Sequence, residues 1–176
     1  METGEIESRI GDNKIVLLVT PAERHYQELQ KVVQILTKKY KSICYVSLNK
    51  PHNVIVRAFK NGGVDIRRLF FIDAVSKQPE PDIKVLLIPS PRSLMELDTG
   101  IEEIITGSGA DCFVFDSLST LLLYGDPLVL TKFFHVLSLK LRSANIAAFF
   151  TALEKHMSTN LIGDISMFAD DVINLR

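Results

Sequence analysis

The sequence predicts an α/β protein of three layers, α-β-α, in which helices cover both faces of a mostly parallel sheet. Short runs rich in β-branched and aromatic residues alternate with longer segments of helical period. The strand-like runs are continuously apolar, which is typical of strands buried on both faces. With 176 residues, 47% of them hydrophobic, the chain is long enough for one domain with a sizeable core.

Residues 15–19 form the first predicted strand, and a helix follows directly. Thr20 suits an N-cap, Pro21 suits the first helical position, and Glu23 completes a Thr-x-x-Glu capping box. Apolar residues then recur every three or four positions up to Leu36, which gives the helix one buried face. We therefore expect the helix to begin at Pro21, with the Glu23 carboxylate at its N-terminus.

The rest of the chain continues the alternation. Further strands are predicted at residues 43–48, 69–72, 85–88, 112–115, 146–150 and 172–175, with 85–88 as an edge strand. Helices are predicted to begin near Pro51, Ser93 and Asp126, with another over residues 161–168. No linker divides the chain, so we expect a polar N-terminal extension at residues 1–13 and a single domain over 14–176.

Composition argues against several classes of protein. The chain has 20 basic and 21 acidic residues. A general nucleic-acid binder needs a surplus of basic residues, so nucleic acid is not an expected partner. No apolar run approaches the roughly 18 residues of a membrane span, and the polar start does not resemble a signal peptide. Cys44 and Cys112 lie inside apolar runs, which is typical of a reducing compartment. We expect a cytoplasmic protein.

In an open parallel sheet, ligands bind beyond the carboxyl ends of the strands. The candidate positions at that edge are residues 20–24, 47–50, 73, 116–119 and 151–155. The four histidines His25, His52, His135 and His156 are scattered singly, without metal-ligand spacing, so we expect surface or packing roles for them. Ser117 lacks the glycines of a hydrolase nucleophile elbow, so no catalytic residue is expected.

Three segments carry a family resemblance: residues 45–51 (YVSLNKP), 112–120 (CFVFDSLST) and 168–175 (FADDVINL). In these segments, and in the order of its strands and helices from about Lys14 onward, the chain resembles the KaiC-like branch of the RecA superfamily of ATPases, especially its small archaeal members. The resemblance implies a RecA-like P-loop NTPase fold.

An ATPase of that family needs a P-loop, Gly-x-x-x-x-Gly-Lys-Ser/Thr, between the first strand and the first helix. Here residues 19–25 read VTPAERH, without glycine or lysine. Pro21 lacks a backbone N–H, and the expected Glu23 carboxylate would repel a triphosphate. This chain therefore resembles the family without its P-loop.

The resemblance implies two further acids. The position of the carboxylate that polarises the attacking water carries Asn49, and an amide cannot take a proton from water. Asp116 matches the acid that would hold magnesium, and without a nucleotide we expect it to accept backbone N–H groups or to cap the following turn. The implied vestigial nucleotide pocket consists of Thr20, Glu23, Arg24, Asn49, Lys50, Asp116 and Ser117.

These observations favour a non-catalytic, pseudo-ATPase role: a regulatory or scaffolding protein in signalling that needs no cofactor or metal. It would act through a protein partner, away from membranes, as a monomer or homodimer. The alternative is an atypical ATP-binding protein or ATPase, in which Asp116 holds magnesium and Arg24 or Lys50 neutralises the phosphates of ATP. A third hypothesis is a different enzyme class at the same sheet edge, for which no residue pattern indicates a substrate.

Overall fold

The computed structural model describes residues 3–11, 14–107 and 109–175. Within them, one sheet is built from β1 (Ile15–Thr20), β2 (Ile43–Ser47), β3 (Leu69–Asp73), β4 (Val85–Leu87), β5 (Cys112–Asp116), β6 (Ala147–Leu153) and β7 (Asp171–Asn174). The order across the sheet is β4-β3-β2-β5-β6-β1-β7, and every neighbouring pair is parallel. The predicted parallel sheet is confirmed, with β4 at one edge.

Helices cover both faces of this sheet. They are α1 (Thr3–Arg9), α2 (His25–Lys39), α3 (His52–Asn61), α4 (Leu94–Gly107), α5 (Leu118–Leu121), α6 (Pro127–Ser143) and α7 (Asn160–Phe168). Buried residues of α1, α2 and α3 share one apolar cluster, and those of α4 to α7 share the other. The three-layer α-β-α architecture is therefore confirmed.

The alternation of side chains along each strand divides the core into these two clusters. On β1, Val16 and Leu18 point toward α2, whereas Ile15, Leu17 and Val19 belong to the opposite cluster. All five are at most 2% exposed. Burying a large apolar side chain stabilises a fold by about 1.5–3 kcal/mol, so a continuously apolar strand is favoured only in the middle layer.

The segment from β1 to α2 differs from the prediction. Ala22–Arg24 form a 3₁₀ turn, and α2 begins at His25 without a side-chain cap. The Thr20 hydroxyl is bonded to the His25 ring rather than to the helix N-terminus, and Glu23 is exposed. The predicted capping box is therefore wrong, because a contact between buried side chains replaces the local cap.

Two other helix starts differ in how well the sequence predicted them. Asp126 caps α6 as expected, since its Oδ1 accepts hydrogen bonds from the backbone N–H groups of Leu128 and Val129. The single turn of α5 was not predicted, and β6 continues three residues beyond the predicted end, to Leu153. Its last residues lie at the carboxyl edge of the sheet.

Residues 3–9 of the expected N-terminal extension form α1, while residues 1, 2, 12 and 13 lie outside the described part of the chain. Ile6 and Ile10 are buried in the α2 cluster, and the guanidinium of Arg9 forms a salt bridge with Asp171 on β7. The helix thus packs on the sheet layer. Among the described residues, none of the helices combines the length and the apolarity that a bilayer crossing requires.

Candidate functional site

A buried cluster of polar side chains lies at the carboxyl edge of the sheet, between β1 and β5. These strands flank β6, so their ends are one strand apart. His25, the first residue of α2, spans this gap: its Nε2 lies 2.8 Å from Oδ1 of Asp116, at the end of β5. Its Nδ1 lies 2.6 Å from the hydroxyl oxygen of Thr20, at the end of β1.

Tyr45 on β2 completes the cluster, because its hydroxyl donates a hydrogen bond of 2.8 Å to Oδ2 of Asp116. We call Thr20, His25, Tyr45 and Asp116 the His25 network. All four residues are at most 4% exposed. Burial and the neighbouring Asp116 carboxylate raise the pKa of Tyr45 well above its ordinary value, which keeps the phenol protonated as a donor. Each carboxylate oxygen thus has a side-chain partner.

The network corrects two expectations. Asp116 was expected to bind backbone N–H groups or to cap a turn, whereas its partners are an imidazole and a phenol. His25 was expected to have a surface or packing role, whereas it connects two strand ends. A carboxylate buried without partners costs several kcal/mol, so the side chains around it must supply donors, and His25 and Tyr45 do so.

The order hydroxyl, imidazole and carboxylate is also that of a nucleophilic catalytic triad. Thr20, however, is fully buried under the ends of β1 and β6, and its hydroxyl oxygen also lies 3.4 Å from the carbonyl oxygen of Ala152. A substrate carbonyl has no access to that oxygen. The network is consequently a closed internal contact rather than a triad open to substrate.

The residues at this edge do not fit the magnesium–nucleotide complex that the resemblance implies. No glycine lies between Val19 and His25, so the turn cannot form the glycine-rich loop whose backbone N–H groups surround phosphates, and Pro21 has no N–H to donate. Both oxygens of the matching acid, Asp116, accept hydrogen bonds from side chains of this chain. His25 therefore lies against the group that a magnesium ion would contact.

The other residues of the implied pocket lie apart from the network. Glu23 and Arg24 are exposed on the 3₁₀ turn, and Arg24 donates a 2.8 Å hydrogen bond to Glu28. The Lys50 ammonium lies 3.4 Å from the centre of the Tyr26 ring. The two cations that the alternative hypothesis assigned to the phosphates are thus both engaged elsewhere.

Asn49 and Ser117 lie on a cavity of about 520 Å³ that His25 also lines. The Ser117 hydroxyl is 3.0 Å from that of Thr120, across the first turn of α5. Of the seven residues assigned to a vestigial pocket, the structure therefore brings Thr20 and Asp116 together through His25. It places Asn49 and Ser117 on the neighbouring cavity.

A second buried His–Asp pair fixes the loop after β3. Nδ1 of His52 lies 2.6 Å from Oδ2 of Asp73, and the backbone N–H of Glu80 donates to Nε2 of the same ring. The imidazole therefore carries its proton on Nδ1 and donates it to the carboxylate. Burial alone would raise the pKa of Asp73, but hydrogen bonds from Ser76, His52 and Val75 outweigh it and lower the pKa below its ordinary value.

Neither His–Asp pair was predicted from the sequence, although both share a pattern that is visible there. In each, an aspartate ends a buried strand and a histidine is the first residue of a helix. In the described part of the chain, no three or more histidine, cysteine, aspartate or glutamate side chains are grouped as metal ligands.

A family model described as "ATPase: KaiC" matches residues 29–176. The chain belongs to the KaiC ATPase family. The matched range begins beyond His25, so the turn between β1 and α2 lies outside it. A solved protein of Pyrococcus horikoshii OT3, from a structural project, has the same fold: the TM-score is 0.67 at 16% identity, over 100% of this chain and 88% of that one. A search of curated proteins gave no significant match.

Proposed function

We propose that this chain is a KaiC-family protein that does not hydrolyse ATP and acts instead as a regulatory or scaffolding protein through protein partners. The observation that carries the proposal is the hydrogen bonding of Asp116, whose two carboxylate oxygens are taken by His25 and Tyr45. Because Asp116 is fully buried, magnesium could contact it only if His25 or Tyr45 moved aside, and the buried network would then lose a satisfied hydrogen bond.

The surrounding residues support the same conclusion. Asn49 stands where a general base would be, and an amide cannot accept the proton of an attacking water. Arg24 is paired with Glu28, and Lys50 lies on the ring of Tyr26, so neither cation is directed at a phosphate. A pseudo-ATPase accounts for each of these features.

The role in signalling through a protein partner rests on the family setting and on one surface feature. Leu128, Val129, Val136 and Leu139 of α6 are 49–64% exposed. Apolar area of this kind on one helix favours a protein ligand over a small polar one. Cys44 and Cys112 are buried and free, as in a reducing compartment, which supports a cytoplasmic location.

A thermal-shift panel of ATP, ADP and GTP, each with and without Mg²⁺, tests the proposal. A ligand at about 100 times its Kd stabilises the folded state by ~2.7 kcal/mol, which for a domain of this size raises the Tm by roughly 5–11 °C. We expect no Mg²⁺-dependent change at about 1 mM nucleotide, that is, at 100 times a Kd of ~10 μM. A rise with Mg-ATP that Asp116→Asn abolishes would contradict the proposal.

The oligomeric state belongs to the same proposal. Without nucleotide between neighbours, we expect a monomer or a homodimer rather than a ring. Small-angle scattering should then give a radius of gyration of roughly 16 Å for a monomer, by the scaling of compact domains. A much larger value that remains on dilution would indicate a ring and count against this part of the proposal.

A further inference from the structure

The cavity beside the His25 network is lined by Asn49 and Ser117 of the implied nucleotide pocket, but hardly by the turn that would hold a phosphate cradle. Its walls come from the segments that follow β2, β3, β4, β5 and β6. Of residues 19–25, all within the described chain, only His25 lines it. Its volume of about 520 Å³ is in the range of small-molecule sites, which hold ligands in clefts of roughly 300–1,000 Å³.

Apolar groups form much of the cavity wall. Leu48, Ala74 and Leu153 lie at the strand ends, and Leu123 and Tyr124 come from the segment after α5. Leu123 is 71% exposed and Tyr124 is 42% exposed, so these two large side chains are open to a ligand rather than buried in the core. An apolar or aromatic ligand body would cover them.

Hydrogen-bond donors line the same cavity. The Ser119 hydroxyl accepts a 2.9 Å hydrogen bond from the backbone N–H of Leu153, which leaves its own hydrogen for another acceptor. Ser117 and Thr120 share one hydrogen bond, so one of their two hydroxyl hydrogens remains for a ligand. These hydroxyls belong to one short segment at the end of β5, where they can converge on a single head group.

Among the described residues, Lys155 is the one lining residue of the cavity that carries a fixed charge, and that charge is positive. No ion pair engages its ammonium within the described residues. The Arg92 guanidinium lies 5.4 Å from the centre of the Tyr124 ring. Burial and the neighbouring Lys155 lower the pKa of His156, so that residue is neutral at pH 7. Within the described chain, the lining includes no carboxylate.

We infer that this cavity binds a small organic anion, with its carboxylate or phosphate head group on Lys155 and the hydroxyls of Ser117, Ser119 and Thr120. The apolar body of the ligand would lie against Leu123, Tyr124 and the strand ends. A charge-assisted hydrogen bond is about twice as strong as a neutral one, so the anion is favoured over its neutral analogue. The inference does not depend on whether magnesium–ATP binds at Asp116.

The experiment uses 2-naphthoate, the neutral 2-naphthamide and 2-naphthyl phosphate, each titrated into the ¹⁵N-labelled full chain and followed by NMR chemical shifts. Ligands of this size bind with a Kd of about 1 mM or lower when all their atoms contact the protein. We expect 2-naphthoate to shift the backbone N–H resonances of Ser119 and Leu123. The neutral 2-naphthamide should bind with at least about tenfold lower affinity. Comparing the two anions shows which head group fits better.

Lys155→Gln removes the charge from an exposed side chain and should weaken 2-naphthoate about tenfold while leaving 2-naphthamide unchanged. Lys155→Arg should retain binding, and Lys132→Gln, on the exposed side of α6, should have no effect. Equal affinity for the acid and the amide, or an unchanged affinity in Lys155→Gln, would overturn the inference. A parallel Mg-ATP titration separates the two proposals: ATP binding that Asp116→Asn abolishes and Lys155→Gln does not weaken contradicts the proposed function alone, whereas the absence of any shift with 2-naphthoate contradicts the inference alone.

Discussion

Replacing His25 by alanine should destabilise the fold strongly, because the side chain is 4% exposed and bonded at both ring nitrogens. Each hydrogen bond contributes about 0.5–1.5 kcal/mol, and leaving Oδ1 of Asp116 buried without a donor costs a further ~1–3 kcal/mol. We expect the free energy of unfolding to fall by about 2–6 kcal/mol, which lowers the Tm by roughly 4–24 °C.

Urea unfolding followed by circular dichroism measures this change, with His135→Ala as the matched control. His135 is exposed and stacks on Phe168 with ring centres 4.7 Å apart, so its removal should change stability by less than about 1 kcal/mol. Equal midpoints for the two variants would refute the reasoning.

A double-mutant cycle isolates the contact itself. Combining His25→Ala with Asp116→Asn should give a coupling free energy of about 0.5–3 kcal/mol, since the two side chains share a buried hydrogen bond. Strict additivity of the two single changes would mean that the contact contributes nothing to stability.

Three more predictions concern other buried polar groups of the fold. Tyr45→Phe removes a hydrogen bond to a buried carboxylate and should lower the free energy of unfolding by about 1–3 kcal/mol, as urea unfolding would show; no loss would indicate that water replaces the phenol. Burial raises the pKa of both Cys44 and Cys112, so the folded state keeps protons that the unfolded state releases above about pH 9. The free energy of unfolding should therefore fall above that pH, by up to ~1.4 kcal/mol per pH unit for each group, and a flat profile to pH 10 would contradict the burial of the thiols. Asp73→Asn removes an acceptor with several buried donors and should lower the free energy of unfolding by about 2–4 kcal/mol at pH 7. Because the pKa of Asp73 is below its ordinary value in the folded state, this difference should shrink as the pH falls through that lowered pKa, and urea unfolding at acid pH would show it.

The fold was predictable because its main signal is local. Runs such as residues 15–19 and 112–115 are apolar throughout, and only a middle layer buries both faces of a strand. The Asp126 cap was equally predictable, because the backbone N–H groups that it accepts from belong to Leu128 and Val129, two and three residues later. Where neighbouring residues determined the structure, the prediction and the structure agree.

The site was less predictable because its contacts are long-range. His25 and Asp116 are 91 positions apart, and no periodicity relates them. The Thr20–Glu23 pattern predicted a helix start four residues too early, since the bond between Thr20 and His25 favours a 3₁₀ turn there. The cavity lies at the junction of five strand ends, so its charge is apparent only once the sheet order is known.

Isothermal titration calorimetry of ATP with Mg²⁺ into the full chain is the sharpest test, because Asp116 is fully buried and magnesium could contact it only if His25 or Tyr45 moved aside. We expect no saturable heat at millimolar ATP. A binding isotherm with a micromolar Kd that Asp116→Asn abolishes would contradict it.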